Sequence, residues 1–113
     1  MANTFKLKTK AGIDDSLTTI YTVPASTTTI VIGLTIANIY GSSITADAKV
    51  ISDTVDTETN ADVYLVKDIA LADGSSVEVM SGNKIVLQTT DAIQVKGSAT
   101  DSVDAILGIM EIT

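Results

Sequence analysis

Short runs of alternating apolar and polar residues, rich in Thr, Val and Ile, constrain this chain more than any other feature. β-Branched residues lose rotamer freedom in helices and pack well on a pleated sheet, and a period of two places one strand face on a core. No segment keeps a helical period past about two turns. The pattern predicts strands at residues 4–10, 17–23, 28–39, 44–52, 62–71, 77–80, 84–88, 92–96 and 103–113.

So many short strands, each followed by turn-forming residues, are typical of antiparallel sheets that pack on each other. We therefore expect an all-β fold, an antiparallel β-sandwich with a jelly-roll-like arrangement of eight or nine short strands. The 113 residues fit one domain. We divide the chain into an N-terminal strand or arm at residues 1–10 and a single β-sandwich domain at residues 11–113.

The third predicted strand is the most apolar one. Its alternation gives one side made of Ile30, Ile32, Leu34 and Ile36. The opposite side is smaller, with Val31, Gly33, Thr35 and Ala37. Small side chains in this position indicate close approach of another surface.

The last predicted strand is largely apolar on both faces. One face carries Val103, Ala105, Leu107, Ile109 and Glu111. The other carries Asp104, Ile106, Gly108, Met110 and Ile112. Two interpretations stay open: a central strand that the domain covers on both sides, or a strand with one face buried by another subunit.

Lysines cluster at the start of the chain, and no acidic residue precedes Asp14. The alternating residues are Phe5, Lys6, Leu7, Lys8, Thr9 and Lys10. One interpretation is a basic arm that adds a strand to a partner or lies along an acidic surface. The other is an edge strand that its lysines protect from aggregation.

Histidine and cysteine are both absent, so the commonest general base and the usual catalytic triads and dyads cannot be built. The serine pairs at residues 42–43 and 75–76 therefore have no such base to activate them. The acidic residues lie mainly in predicted turns and on predicted wet faces. We expect a protein that is not an enzyme and that uses no cofactor.

The loop at residues 53–61 contains the strongest metal candidate. Asp53, Asp56 and Glu58, with Asn60 nearby, offer oxygen ligands of the kind that calcium takes from flexible loops. Their spacing does not match an EF-hand loop, which needs glycine at its sixth position. The competing interpretation is an ordinary solvated loop, and we expect no metal there.

The net charge of −7 comes from fourteen acids and seven lysines, with no arginine. Such a field repels phosphate backbones and anionic membranes, and no guanidinium group is present for bidentate contacts to bases or phosphates. The apolar stretch at residues 30–39 is about half as long as a membrane-spanning helix. We expect neither nucleic acid nor membrane as a partner.

Four phrases of the sequence resemble a group of short virion proteins from tailed phages, particularly phages of marine bacteria and cyanobacteria. They are MANTFK, TTIYTVPASTTTIVIGLTIAN, YLVKDIALADGSSVEVMSGNKIVLQTTDAIQV and ILGIMEIT. Residues 21–38 and 64–95 carry most of the resemblance, and together the four phrases cover more than half of the chain.

The resemblance implies a small β-sandwich structural protein with no catalytic residues to transfer. We expect a capsid cement or decoration protein on the virion surface, assembled in the host cytoplasm. Its partner would be the major capsid protein, and it would form a homo-oligomer, with a trimer favoured. The alternative is a neck, tail, baseplate or fibre component, such as an adsorption or carbohydrate-binding module. The expected partner-binding residues are Phe5, Lys6, Leu7, Lys8, Lys10, Ile106, Met110 and Ile112.

Overall fold

The computed structural model describes residues 2–52 and 60–113. Within these residues the chain forms nine strands and no helix. The strands are β1 (Asn3–Ile13), β2 (Thr18–Thr22), β3 (Thr28–Asn38), β4 (Ile44–Ile51), β5 (Val63–Leu71), β6 (Ser76–Glu78), β7 (Ile85–Leu87), β8 (Ala92–Gly97) and β9 (Val103–Ile112).

The nine strands form two antiparallel sheets. Sheet I has the order β1-β9-β3-β6, and β7 also pairs with β3. Sheet II has the order β2-β8-β4-β5. The two last strands of the chain thus lie inside the sheets, β9 between β1 and β3 and β8 between β2 and β4. The predicted all-β sandwich is confirmed, and the finer jelly-roll-like order stays a prediction.

The core lies between the two sheets and is built by the alternation within each strand. β9 contributes every second residue to it, and the intervening residues point away. The core includes Tyr21, Val31, Leu34, Ile36, Ala48, Ile93, Val95, Val103, Leu107 and Ile109.

The outer face of β9 is not covered by the rest of the described chain. Ile106 on this face is 49% exposed, whereas Leu107 beside it is fully buried. The interpretation in which the domain itself covers both faces of the last strand is therefore wrong. β9 is central within its sheet, but its sheet has only one covered face.

A β-bulge in β3 changes which of its residues face the core. Val31 pairs with Ile109 and Gly33 pairs with Gly108, so Ile32 is the extra residue. Val31 is buried and Ile32 is 41% exposed, against the prediction that Ile32 lies on the same side as Leu34 and Ile36. The prediction failed because it assumed strict alternation along the whole strand. A bulge adds one residue, so every later residue lies on the face opposite to the one that strict alternation assigns.

Glu78 on β6 closes the gap that the bulge leaves. Its Oε1 accepts hydrogen bonds from the backbone N–H groups of Leu34 (3.2 Å) and Met80 (2.9 Å), and its Oε2 accepts one from the hydroxyl of Thr35 (2.9 Å). Burial raises the pKa of the Glu78 carboxyl, but these donors outweigh burial and hold that pKa below its usual value. Gly33 leaves the room that the carboxylate occupies.

The first strand is longer than predicted. β1 pairs with β9 from Asn3 and continues to Ile13, three residues beyond the predicted strand end at residue 10. The register shifts between Lys10 and Ile13, and Gly12 there takes a positive φ of 61°, which glycine adopts without strain. Most other predicted strand ends differ from the observed ones by a single residue.

Gly97 marks the closest approach between β8 and the turn that precedes β9. A Cβ atom at Gly97 would overlap the hydroxyl of Ser102, which is fully buried. We therefore expect Gly97→Ala to lower the free energy of unfolding by about 1–3 kcal/mol in urea denaturation, because the buried neighbours must shift.

Two further variants test this steric cause. Gly108→Ala is the control, because its Cβ meets no atom within 4 Å and its stability should not fall. Adding Ser102→Gly to Gly97→Ala should recover part of the loss. If the double variant is no more stable than Gly97→Ala alone, contact with Ser102 is not the cause.

Candidate interaction surface

The outer side of sheet I is apolar and exposed. Pairing across the sheet sets its rows, since Phe5 lies opposite Met110, which lies opposite Ile30, which lies opposite Val86. Directly opposite residues of antiparallel strands share one face. We define the apolar face as Phe5, Leu7, Ile30, Ile32, Val86, Ile106, Met110 and Ile112.

The most exposed side chains of this face lie at its two edges, on β1 and β7. Phe5 is 73% exposed, Leu7 68% and Val86 59%. Single exposed apolar residues are normal on a protein surface, but a contiguous group of them marks an interaction site. The geometry therefore favours a surface that another molecule covers.

One glycine, Gly108, leaves a shallow depression within the apolar face, whereas the room over its neighbour Gly33 is occupied by the carboxylate of Glu78. Gly108 lies directly opposite Leu7 on one side and Gly33 on the other. Neither glycine has a side chain, and a Cβ at Gly108 would meet no atom within 4 Å. A surface with a depression beside protruding side chains can interlock with a partner. Gly33 and its neighbours Thr35 and Ala37 are the small residues that the sequence pattern singled out for close approach.

Charge is absent from the outward positions of sheet I at residues 3–9, 28–35 and 106–112. Asp104 lies at the margin of this area, and the carboxylate of Glu78 reaches into it and lies over Gly33. The outer side of sheet II differs sharply, because charged residues occupy it. A partner that covers the apolar face would therefore bury few charges.

The charged cluster on sheet II surrounds Asp47, which is almost completely buried. Lys96 and Lys67 place their ammonium groups 3.7 and 3.9 Å from its Oδ2. Lys67 and Lys49 each lie 5.0 Å from the ring centre of Tyr64. Oδ1 of Asp47 accepts a hydrogen bond from the backbone N–H of Asp68 (2.6 Å), whereas its buried Oδ2 accepts none from the described residues and faces the two ammonium groups. The charged groups of this side thus pair with one another.

The structure divides the predicted partner-binding residues into two groups. It brings five of them together on the apolar face, namely Phe5, Leu7, Ile106, Met110 and Ile112. The three lysines lie on the opposite side of β1, since they pair with the inward residues Ile109, Leu107 and Ala105. The lysines thus do not belong to the apolar face.

Sequence reasoning missed three members of the apolar face, Ile30, Ile32 and Val86. Strict alternation assigned Ile32 to the wrong face because it does not allow for the bulge. Only the pairing of β7 with β3 shows that Val86 lies beside Ile30. The outward side of the half-buried Ile30 follows from its pairing with Met110, which points away from the core. The available signal for this face was the presence of Gly33 and Gly108 in the two most apolar strands. It could be used only once the two glycines were known to lie opposite each other.

A buried polar network ties the two sheets together near the start of β1. Tyr21 of β2 donates a hydrogen bond to Oε2 of Glu111 (2.6 Å), and the hydroxyl of Thr29 lies 2.8 Å from the Tyr21 oxygen. Lys6 lies 2.7 Å from Oε1 of Glu111. Four strands, β1, β2, β3 and β9, therefore meet at one carboxylate.

The network shifts two ionisation equilibria. The Lys6 ammonium, followed by the Tyr21 hydroxyl, holds the pKa of Glu111 below its usual value. Burial, together with the hydrogen bond to Glu111, raises the pKa of Tyr21 to about 12. Both shifts favour an ionised Glu111 beside a neutral Tyr21. No base-and-nucleophile pair arises from this arrangement, and its role in the fold is structural.

The expectation that acids lie on wet faces fails at three positions. Asp47, Asp91 and Glu111 are all buried. Asp47 and Glu111 are compensated by lysines, and Asp91 accepts a hydrogen bond from the backbone N–H of Gln88 (3.0 Å). Buried carboxylates require such partners because an uncompensated charge in the interior is costly.

The metal prediction concerns residues that the structure does not describe. Asp53, Asp56 and Glu58 all lie outside the described residues. Among residues 2–52 and 60–113, no three acidic side chains group closely enough to hold a metal ion. The same described residues include no helix that is long and apolar enough to span a membrane.

No protein-family model matches this sequence, and no curated protein matches it. Among solved structures, one of Bacillus endospore appendages, described as a novel family of disulfide-linked pili, is similar at 12% identity with a TM-score of 0.43. The similarity covers 99% of this chain and 87% of that one. With so low a TM-score it carries no argument about function, and this chain has no cysteine for a disulfide.

Exposed members of the apolar face should contribute little to the stability of the chain itself. We expect Phe5→Thr/Leu7→Thr to change the free energy of unfolding by no more than about 1 kcal/mol, because both side chains are already solvated. The same variant should bind less anilinonaphthalene sulfonate, an apolar dye, than the wild-type protein. Fluorescence titration measures this binding.

Leu34→Ala provides the contrast, because Leu34 is fully buried in the core. It should cost about 2–5 kcal/mol. A loss of that size in the Phe5→Thr/Leu7→Thr variant would show that these residues pack within the chain and do not form a free surface.

The ion pair between the buried Glu111 and the exposed Lys6 predicts a specific pH dependence. The pKa of Glu111 is lower in the folded than in the unfolded protein, so its stabilising effect is present above the unfolded value, about 4.3, and is lost as the pH falls through the folded value. We expect Glu111→Gln to lower the free energy of unfolding by about 1–3 kcal/mol at pH 7. The difference from wild type should shrink steadily below about pH 4.

Urea denaturation at a series of pH values measures this difference. Asp15→Asn is the control, because Asp15 is exposed in the turn between β1 and β2, and its difference from wild type should stay near zero. A Glu111→Gln difference that does not change with pH would contradict a role for the charge.

Proposed function

We propose that this chain is a structural protein of a tailed-phage virion that catalyses no reaction. In this proposal it is a capsid cement or decoration protein that binds the major capsid protein through the apolar face. The exposed apolar face on the outer side of sheet I is the observation that carries the proposal. Surfaces of this kind are typical of proteins that assemble with others.

The energy available to such a contact follows from the side chains it would cover. Full burial of a large apolar side chain contributes about 1.5–3 kcal/mol. Phe5, Leu7 and Val86 are each more than half exposed in the chain alone, so a partner that covers them gains several kcal/mol in each copy. Repetition over a shell multiplies this gain, which is how a protein without chemistry can stabilise a capsid.

Two features of the sequence support the proposal from other directions. The lack of both histidine and cysteine disfavours most enzymatic chemistry. The phrases at residues 21–38 and 64–95 resemble small virion proteins of tailed phages. We place the protein on the capsid surface as a homo-oligomer, with a trimer favoured.

Copy number in purified virions tests the proposed location. A cement protein should be present in as many copies as the shell lattice has sites, on the order of hundreds per particle. Quantitative mass spectrometry against a labelled standard gives the number. A few copies would place the chain in the neck, tail or baseplate and overturn the cement role, and complete absence would overturn the virion proposal.

A single substitution tests the proposed contact surface. Gly108→Lys places a charge in the depression of the apolar face, where a Cβ atom would meet no atom within 4 Å, so the fold should be retained. We expect its binding to heads that lack the protein to weaken by at least about tenfold, since the contact would then bury an unpaired charge. Sedimentation of heads with bound protein measures the loss.

Thr22→Lys is the matched control, because it adds the same charge at an exposed position of β2, in sheet II. It should decorate heads as wild type does. Equal binding by Gly108→Lys and Thr22→Lys would rule out the apolar face as the contact, while leaving a virion location open to the copy-number test.

A further inference from the structure

One strand edge of this protein is long, regular and open. β1 is the terminal strand of sheet I, and its pairing with β9 is regular over residues 3–10. Nearly all residues of β1 before Gly12 are exposed. An edge strand presents unpaired N–H and C=O groups to its free side, and those groups are a template for another strand.

The other described edges are poor templates by comparison. The far edge of sheet I consists of two three-residue pieces, β6 and β7. In sheet II, β2 has only five residues and a register shift, and the pairing of β5 shifts twice. Asp68 in β5 also takes a positive φ of 52°. Bulges and short strands are devices that block edge pairing, and β1 lacks both over residues 3–10.

The two sides of β1 have different chemistry. Phe5 and Leu7 continue the apolar face, whereas the lysines point to the other side. Lys6 is engaged by Glu111. Lys8 and Lys10 have no ion pair with any residue that the structure describes, so two ammonium groups beside the free edge remain available to a partner.

A second copy of this chain does not fit the β1 edge. Antiparallel pairing of β1 with its own copy would place one row of lysines beside the other, and like charges on directly opposite residues destabilise a sheet. The required partner strand carries carboxylates on the side that meets the lysines. Its other side carries apolar residues, which would extend the apolar face beside Phe5 and Leu7.

We propose that the free edge of β1 accepts an extended partner segment in which acidic and apolar residues alternate, so that the segment becomes an added strand of sheet I. Main-chain hydrogen bonds provide affinity, and Lys8 and Lys10 favour the register in which the acidic residues of the segment lie beside them. This inference goes beyond the proposed cement role, because it concerns the edge of the sheet and specifies the sequence pattern of the partner.

Two synthetic peptides test the proposal against the wild-type chain. One alternates Glu and Val over the length of residues 3–10, and the other alternates Lys and Val. The protein has a net charge of −7, so non-specific attraction favours the lysine peptide. We expect the opposite, with the glutamate peptide binding at least about tenfold more tightly. Isotope-edited NMR should show slowed hydrogen exchange at β1 amides.

Charge-reversal variants make the test specific to the edge. Lys8→Glu/Lys10→Glu should lose the glutamate peptide and gain the lysine peptide. The control Lys49→Glu/Lys84→Glu changes the net charge equally at residues outside β1 and should retain the wild-type preference. Melting curves confirm that each variant is folded.

The proposal is overturned if neither peptide slows exchange at β1 amides at about 1 mM, the range of very weak binding. It is also overturned if the lysine peptide binds wild type at least as well, or if reversal of Lys8 and Lys10 leaves the preference unchanged. None of these outcomes bears on head decoration, so this proposal and the virion proposal can fail separately.

Discussion

Hydrogen bonding of β9 on both of its edges is the constraint on which the rest of this structure depends. β1 and β3 flank it with antiparallel registers that are regular over most of their length. Directly opposite residues of paired strands share a face, so the inward and outward residues of β9 set the inward and outward residues of β1 and β3. Leu107 and Ile109 then belong to the core, and Ile106 and Met110 belong to the outer side. One strand thereby sets both the packing of the sandwich and the character of its exposed face.

Glu111, near the end of β9, connects this sheet to the other one. An isolated carboxylate in the interior would be costly, and the hydroxyl of Tyr21 and the ammonium of Lys6 offset that cost. The contact helps to fix the position of β1 on its sheet, because a slip of one residue would turn Lys6 to the outer side. In the observed register Phe5 and Leu7 face outward. The ion pair to the buried Glu111 and the exposed apolar surface are consequences of the same strand register.

The two outer sides of the sandwich are suited to different surroundings. Sheet II carries lysines whose ammonium groups lie near the buried carboxylate of Asp47 and near a tyrosine ring, so its charged groups pair with one another. Sheet I carries the apolar face, and its terminal strand β1 has an unpaired edge. The lysines of β1 lie on the side of that strand opposite to the apolar face. Face and edge share one strand, so a partner segment added at the edge would enlarge the face. This asymmetry favours a protein that is attached by one side.

The sequence by itself determined the all-β class, a set of eight or nine short strands and which residues share a side in the first and last strands, since alternation is a local property. Tertiary structure alone decided that residues near position 5 lie beside residues near position 110, because pairing across that separation depends on the whole sheet. It also placed the bulge at Ile32, which reversed a predicted face, and paired Lys6 with Glu111. Alternation tells which residues share a side of one strand, and only strand pairing tells which strands share a surface.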